Sequence, residues 1–483
     1  MSDDLNKLSH GVFWNAVQKY SGLVVSTVVS MVLARLLSPE EFGVIAIASV
    51  IISFLTMLSD MGIGPAIIQK KDLTEKDINN IFTFSCITGF VFALVFFFAS
   101  WGIASFYDKE VLVPVCQILS VQVFFASANM VPNALMSKNF RFKEIAKRTL
   151  ILQISTGILS IIAAMMGAGV YALLISPIVT AIGIFIYNHH FYKVKIERHF
   201  SFAPIRKIFS YSSFQFLFQI VTYFAGNIDK LIIGKNISTS DLGYYQKSYQ
   251  LVQAPLGSLG AIITPVLHPL LSQYQEDKKL LAAKYSKVMH FLALVSFPIG
   301  LLFCFSGSEM IHFFYGDKWD LAIPCFCIMS ITIPFHIMLS TIGSFFQAGN
   351  ETKRLFYLGL LNGIVAILLI VIAATTFKTI EAVATAYCIS AIFNYASTLF
   401  FIFVIVLKES IVLVLKEFVI PVIISVPIAI ILYFENRLLA SWPVLDFLVK
   451  GFTTLLIIYC LVQKSGIVDL KQYINRIISK KSK

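Results

Sequence analysis

Long apolar runs recur along the whole chain, and they restrict its fold more than any other feature of the sequence. About fourteen runs reach the roughly 20 residues that a helix needs to cross a membrane. Charged residues make up 13% of the 483 residues, well below the roughly 25% of soluble domains. The sequence therefore predicts an all-α polytopic membrane protein. The approximate bounds of its helices are 12–34, 42–68, 80–107, 111–135, 147–167, 169–191, 207–235, 241–272, 284–306, 320–347, 354–376, 380–407, 416–434 and 444–463.

Basic residues concentrate in alternate connections between these runs. With the N-terminus in the cytoplasm, 29 of the 38 Lys and Arg residues, Arg148 among them, fall inside, and nine, Lys450 among them, fall outside. Cytoplasmic connections carry such an excess, so both termini are expected in the cytoplasm. The net charge of +12 then reflects topology and contacts with anionic lipid headgroups, and no nucleic-acid partner is expected. The first eleven residues are polar and precede a full-length run, which predicts no cleaved signal peptide.

The chain resembles itself at an offset of 200 residues. Residues 34–43 read ARLLSPEEFG, and residues 234–243 read GKNISTSDLG. Six predicted helices separate the two copies, so both copies have the same membrane orientation. Parallel repeats of this kind place substrate sites between the halves. We therefore expect two pseudo-symmetric six-helix lobes around a central cavity, residues 1–200 and 201–407, followed by two helices and a basic tail in 408–483.

Polar residues recur on one face of three predicted helices. The seventh helix places them at spacings of 4, 3, 4 and 3 residues, which is one helical face. Polar faces are unfavourable in lipid, so they turn toward protein or water. Helix–helix hydrogen bonding is one interpretation, and a water-filled substrate cavity is the interpretation that the coincidence of three stripes favours. The stripes are Asn15, Lys19, Gly22 and Ser26; Gln215, Gln219, Thr222, Gly226 and Asp229; and Gln246, Gln250, Gln253 and Gly257, with Lys247 beside them.

Five segments carry a resemblance to the Wzx-like polysaccharide transport family, within the larger group of multidrug and oligosaccharidyl-lipid exporters. They occur in the expected order over most of the chain. The segments are LARLLSPEEFG (33–43), SDMGIGPAIIQKK (59–71), DKLIIGKNISTSDLGYYQKSYQLVQAPLG (229–257), PVLHPLLS (265–272) and FYGDKW (314–319). The resemblance implies a two-lobed flippase that moves undecaprenyl-pyrophosphate-linked oligosaccharides to the outer leaflet by alternating access. Such transport serves the biosynthesis of lipopolysaccharide O-antigen, capsule or exopolysaccharide.

Residue types on the stripes suit such a substrate. A pyrophosphate needs cations, for which Lys19, Lys230 and Lys247 are candidates, although Lys19 could instead extend to the cytoplasmic interface. Sugar hydroxyls need neutral hydrogen-bonding groups, and the candidates are Asn15, Gln215, Gln219, Gln250 and Gln253. No cofactor or metal is expected apart from H+ or Na+ as a coupling ion. Asp60 and Asp229 are its candidate carboxylates, and an interfacial location is the alternative for Asp229 and Lys230.

Membrane lipids, a polysaccharide polymerase and chain-length machinery are the expected partners. An ion-coupled exporter of drugs or small molecules is the nearest alternative function, but it would favour an acidic cavity. A membrane glycosyltransferase or polymerase would carry catalytic acids on large extramembrane loops, whereas the longest connection here has about sixteen residues. Gly234-Lys235 is no P-loop, because Asp229 stands where that motif needs its first glycine. We therefore expect a transporter and not an enzyme.

Overall fold

The computed structural model describes residues 2–60, 62–70, 72–209, 213–274, 277–348, 352–438 and 443–464. Within these ranges all regular structure is helical. The chain divides into two compact units. The N-terminal unit comprises residues 1–246 with 374–378, and the C-terminal unit comprises 247–373 with 379–483. The lobes expected from the sequence, with bounds at 200 and 407, stay a prediction.

The N-terminal unit contains eleven described helices and the start of a twelfth. Their apolar sequences satisfy every backbone group inside the helix, which is the requirement for crossing a bilayer. The helices are α1 Ser2–Leu36, α2 Pro39–Asp60, α3 Ile63–Gln69, α4 Glu75–Tyr107, α5 Leu112–Ala128, α6 Met130–Lys138, α7 Phe142–Met165, α8 Val170–Phe191, α9 Ala203–Phe209, α10 Ser213–Ala225, α11 Ile228–Asn236 and α12 Thr239–Ser272.

The C-terminal unit takes up the rest of α12 and continues with nine described helices. A short 3-10 turn, Asp317–Trp319, follows the second of them, and α19 ends in a π-helical turn, Phe401–Val406. The nine helices are α13 Lys278–Phe305, α14 Gly307–Phe314, α15 Ala322–Ser330, α16 Ile333–Leu339, α17 Ile342–Ala348, α18 Thr352–Thr376, α19 Ile380–Phe400, α20 Val412–Leu438 and α21 Pro443–Lys464.

Ten spans in the described residues are long and apolar enough to cross a membrane, or eleven if the bent pair α15–α16 counts as one. Large apolar side chains are exposed along them, for example Phe98 and Trp101 on α4 and Ile423 on α20. Such a surface requires lipid rather than water around it. The predicted all-α polytopic fold is confirmed, whereas the number of fourteen helices stays a prediction.

Four predicted continuous helices are interrupted in the structure. The runs 42–68, 111–135 and 207–235 break near Gly62, at Asn129 and at Gly226–Asn227, and the run 320–347 becomes α15, α16 and α17. Hydropathy alone misses such breaks, because a short interruption leaves the run apolar. Irregular backbone at membrane depth is tolerated where it is buried in protein or lines a cavity. The breaks are therefore candidate positions for a substrate cavity.

The two copies of the internal repeat form the same helix start. Ser38 caps α2 through Glu41, whose Oε2 accepts from the Ser38 backbone N at 2.7 Å. Ser238 caps α12, where its Oγ donates to Asp241 Oδ2 at 2.6 Å and accepts from the Asp241 backbone N at 3.0 Å. The aligned glycines permit close packing of the two helix starts. A Cβ on Gly43 would lie 1.7 Å from Thr239 O, and one on Gly243 would lie 2.0 Å from Pro39 O.

Candidate substrate cavity in the N-terminal unit

Three interrupted helices of the N-terminal unit line one cavity of about 780 Å³. This volume lies within the range of about 300–1,000 Å³ that small-molecule sites occupy. The wall mixes apolar side chains with hydroxyl, amide and carboxylate groups. The lining residues are Thr56, Met57, Asp60, Gly64, Pro65, Ile68, Ala126, Asn129, Met130, Asn133, Ala134, Ser137, Gln219, Thr222 and Tyr223.

The break between α2 and α3 brings a carboxylate to the cavity wall. Gly62 has a φ of 81°, a left-handed conformation that glycine adopts without steric penalty. The chain can therefore end α2 at Asp60 and start α3 after a single turn. Asp60 Oδ1 accepts from the backbone N of Gly64 at 3.3 Å, so the carboxylate also fixes the break. The predicted site residue Asp60 thus lies in the cavity.

The break between α5 and α6 at Asn129 is tied to a buried arginine. Arg148, on α7, is 5% exposed and donates to the side-chain oxygens of Asn133 and Asn188. Asn188 Nδ2 in turn donates to Asn129 Oδ1 at 2.8 Å. No carboxylate of the described ranges forms an ion pair with Arg148, and its Nε has no hydrogen-bond partner there. Among the described residues, this buried cation therefore donates its hydrogen bonds to neutral amides.

Arginine fixes the orientation of these amides, because a guanidinium can only donate hydrogen bonds. Asn133 and Asn188 must therefore present their oxygens to Arg148. The amino group of Asn188 is then left to donate to the oxygen of Asn129. Asn129 and Asn133 both line the cavity, and both have their oxygens occupied on the protein side. Their amino groups remain available to a ligand, so this part of the wall is a hydrogen-bond donor surface with a positive charge behind it.

The break between α10 and α11 supplies the third side of the wall. Gln219, Thr222 and Tyr223 come from the last turns of α10. The hydroxyl of Tyr223 donates to the backbone oxygen of Val50 on α2, which anchors α10 beside the first break. Gln219 is the second predicted site residue that the structure places in this cavity.

Among the other predicted residues of the N-terminal unit, Asn15, Lys19, Asp229 and Lys230 are not lining residues of this cavity. Asn15 and Lys19 are exposed on α1, which packs against α7. The side chain of Gln215 lies outside the described part of the structure. Asp229 is buried and accepts from Tyr245 Oη at 2.8 Å, whereas Lys230 Nζ donates to Asn227 Oδ1 at 2.9 Å. Asp229 and Lys230 therefore both form hydrogen bonds at the start of α11.

Three predicted residues belong to the C-terminal unit. Lys247 is 3% exposed, with its Nζ 4.9 Å from the ring centroid of Tyr315 and 6.0 Å from that of Trp319. These distances are those of cation–π contacts. Gln253 Nε2 donates to Tyr387 Oη at 3.5 Å, and Gln250 is exposed on α12. The roles predicted for all three stay predictions.

Sequence comparison finds a family and relatives that cover most of the chain. Residues 32–324 match the sequence model of a family described as polysaccharide biosynthesis protein. The teichuronic acid biosynthesis protein TuaB of Bacillus subtilis is 25% identical over 80% of this chain and 81% of its own length. The lipopolysaccharide biosynthesis protein WzxC of Escherichia coli is 23% identical over 71% of this chain and 70% of its own length.

Comparison with solved structures identifies a shared architecture. The lipid II flippase MurJ, in an inward closed conformation, matches with a TM-score of 0.74 at 15% sequence identity. The match covers 94% of this chain and 98% of that protein. At this identity the likeness shows the fold alone. The fold is that of a polytopic, all-helical membrane protein, as the sequence predicts.

Proposed function

Because the chain belongs to the polysaccharide biosynthesis protein family, we propose that it is a flippase for a lipid-linked oligosaccharide. Its substrate would be an undecaprenyl-pyrophosphate-linked repeat unit, moved from the cytoplasmic to the outer leaflet of the inner membrane for surface polysaccharide biosynthesis. The relatives named for teichuronic acid and lipopolysaccharide biosynthesis support this substrate class. The fold shared with a lipid II flippase supports the mode of action.

The observation that carries the proposal is the donor surface of Asn129 and Asn133 with Arg148 behind it. A pyrophosphate is an acceptor-only anion, so it fits a wall that offers amide N–H donors in front of a positive charge. Sugar hydroxyls both donate and accept, which suits Gln219, Thr222 and Tyr223 on the α10 side of the wall. The exporter alternative needs a wall that attracts cations, and Asp60 is the lone carboxylate among the lining residues. The flippase is therefore favoured.

We propose that transport proceeds by alternating access, with both termini in the cytoplasm and no catalytic reaction. Asp60 and Asp229 are the carboxylates that we propose for coupling to H+ or Na+, and Asp60 is the stronger candidate because it lines the cavity. Lys19, Lys230 and Lys247 are proposed as further cations for the pyrophosphate. Asn15, Gln215, Gln250 and Gln253 are proposed for the glycan. Membrane lipids, a polysaccharide polymerase and chain-length machinery are the proposed partners.

Deleting the gene in its host and locating the lipid-linked glycan tests this function. We expect complete undecaprenyl-pyrophosphate-linked units to accumulate on the cytoplasmic leaflet, and wild-type protein to restore them to the outer leaflet. Accumulation on the outer leaflet in the deletion strain would contradict the proposal. Normal glycan together with altered sensitivity to cationic drugs would favour the exporter instead.

Arg148→Met tests the site within the same assay. A hydrogen bond to a charged group contributes about 1.5–3 kcal/mol, so we expect outer-leaflet glycan to fall about tenfold to a hundredfold. Lys147→Met is the matched control, because Lys147 is an exposed cation on the same helix, and it should transport like wild type. Equal transport by the two well-expressed variants would exclude a role for the buried arginine.

A further inference from the structure

A second buried charge cluster lies in the C-terminal unit, where α14 packs against the start of α21. Lys450 is fully buried and lies between two carboxylates. Its Nζ is 2.6 Å from Glu309 Oε1 and 2.8 Å from Asp446 Oδ2. Asp446 is 2% exposed and is one helical turn before Lys450 on α21. We refer to Glu309, Asp446 and Lys450 as the acid–lysine cluster.

The two acids of the acid–lysine cluster lie close together, since one oxygen of each contacts the same Lys450 Nζ. If both carboxylates were ionised, neither would have a proton to donate to the other. The second oxygens of both acids, Glu309 Oε2 and Asp446 Oδ1, are buried without a partner in the described residues. A buried acceptor without a donor is unfavourable. One proton on the pair would create the donor that the geometry lacks.

The charges of the cluster also favour one proton on the pair of acids. With all groups ionised, the fully buried ammonium of Lys450 would face two carboxylates, whose side chains are 14% (Glu309) and 2% (Asp446) exposed, and a net negative charge would remain. A third acid, Glu435 of α20, adds to this net negative charge. Its carboxylate accepts from Thr453 Oγ1 at 3.3 Å. When two carboxylates share a site, one of them holds its proton much more tightly than in water.

Among the side chains that the structure describes, the elements around the cluster add no further cation; the side chain of Arg437 on α20 lies outside them. The helices α13, α14 and α20 pack against α21. The last turn of α13 contributes Cys304, and α15, which packs on α14, contributes Cys327. The carboxylate of Glu417 on α20 is engaged elsewhere, with Lys287 and His290 of α13. On α14 itself, His312 pairs with the exposed Asp320 and not with the cluster.

We propose that the acid–lysine cluster is a proton-binding site, in which Glu309 and Asp446 share one proton and Lys450 balances the remaining negative charge. Burial raises the pKa of Glu309, which lies outside the long apolar helices, and the neighbouring Asp446 raises it further, against the lowering effect of Lys450. If the chain is the flippase proposed above, this proton could drive its conformational change.

Infrared spectroscopy on the purified full-length protein tests the site independently of transport. We expect wild type at neutral pH to show the C=O stretching band of a protonated carboxyl group, shifted in D2O and unchanged when Na+ replaces K+. Glu309→Gln and Asp446→Asn should both reduce this band. Asp320→Asn, which changes a 64% exposed carboxylate, should leave it intact. A band unaffected by both cluster variants, or its absence from wild type, would overturn the proposal; removal by Na+ would show a metal-cation site instead.

The dependence of thermal stability on pH gives a second test, in which wild type is compared with Glu309→Gln. A folded-state carboxyl group that keeps its proton binds more protons than the same group in the unfolded chain, whose pKa is about 4.3. Stability then falls as the pH rises from that value toward the folded-state pKa. We expect the melting temperature of wild type to fall as the pH rises over this range, and that of Glu309→Gln to fall less. Identical slopes in wild type and Glu309→Gln would overturn the proposal.

Discussion

Two buried cations of this chain have opposite surroundings. Arg148 in the N-terminal unit is held by amides, with no acidic partner in the described residues. Lys450 in the C-terminal unit is held by two carboxylates, with a third close by. A buried charge is stable only when it is paired or hydrogen-bonded on all sides. The first arrangement therefore leaves a positive charge for an anionic ligand to balance, whereas the second leaves a negative charge for a proton to balance.

We therefore expect Arg148 to serve substrate binding and Lys450 to serve stability. Removing a cation that carboxylates surround leaves uncompensated buried charge. Removing a cation that only amides surround leaves neutral groups that can bond to one another or to water. Substitution of Lys450 should therefore weaken the fold, and substitution of Arg148 should chiefly weaken transport.

The largest effect is expected for Lys450→Met. Breaking a buried ion pair by removing one partner lowers stability by about 3–5 kcal/mol. The loss should be smaller at acidic pH, where Glu309 and Asp446 can take up protons. Thermal unfolding of the purified protein measures it, and the double variant Lys450→Met with Asp446→Asn should recover part of the loss.

A surface ion pair provides the control for Lys450→Met. Lys287 pairs with Glu417 at 2.9 Å but its side chain is 72% exposed, and such pairs contribute about 0–1 kcal/mol. Lys287→Met should therefore unfold close to wild type. If Lys450→Met and Lys287→Met had the same small effect, the buried acids would not depend on Lys450.

The substitution Asn133→Asp would give Arg148 the kind of partner that Lys450 has. The carboxylate occupies the same volume, pairs with the guanidinium and removes both the amide donor and the uncompensated charge. We expect unchanged or higher thermal stability, and transport about tenfold lower, because about 1.5 kcal/mol of charge-assisted bonding to the substrate is lost. The leaflet assay and a melting curve measure the two effects.

Asn139→Asp is the matched control, since Asn139 follows α6 and is exposed. It introduces the same charge without access to Arg148, and its transport should equal that of wild type. Transport that survives Asn133→Asp would show that the donor surface does not bind the substrate anion.

The sequence alone predicted some of these structural features and missed others. The length and apolarity of the runs were enough to predict the helical membrane fold. The repeat around Gly43 and Gly243 appears in the structure as two helix starts with the same type of cap. Asp60 and Gln219 were found because a polar residue in an apolar run is visible without a partner. The break near Gly62 has a glycine signal, and the break at Asn129 is followed by Pro132, which has no N–H to donate to the carbonyl of Ala128. Both runs were nevertheless predicted as continuous helices, because each stays apolar across its break.

The two buried cations were missed for a different reason. Arg148 lies near the start of a predicted helix and Lys450 near an outer end, so both were counted as charges that set topology. One partner of each is remote in sequence: Asn188 is 40 residues from Arg148, and Glu309 is 141 residues from Lys450, although Asp446 is only one helical turn from Lys450. A single sequence shows that a charge is near an apolar run. Only the packing of helices shows whether amides or acids surround it.

The smallest effect is expected for Asp60→Asn, which tests whether the cavity carboxylate or the acid–lysine cluster responds to an ion gradient. The amide keeps an oxygen for the Gly64 N–H bond, so the helix break should persist. Because only the strength of one hydrogen bond changes, by about 0.5 kcal/mol, transport without a gradient should stay within about threefold of wild type. With an inward gradient of H+ or Na+, wild type should accelerate and Asp60→Asn should not. If Asp60→Asn still accelerates whereas Glu309→Gln does not, coupling resides in the C-terminal unit alone, and the N-terminal cavity then serves only to hold the anion.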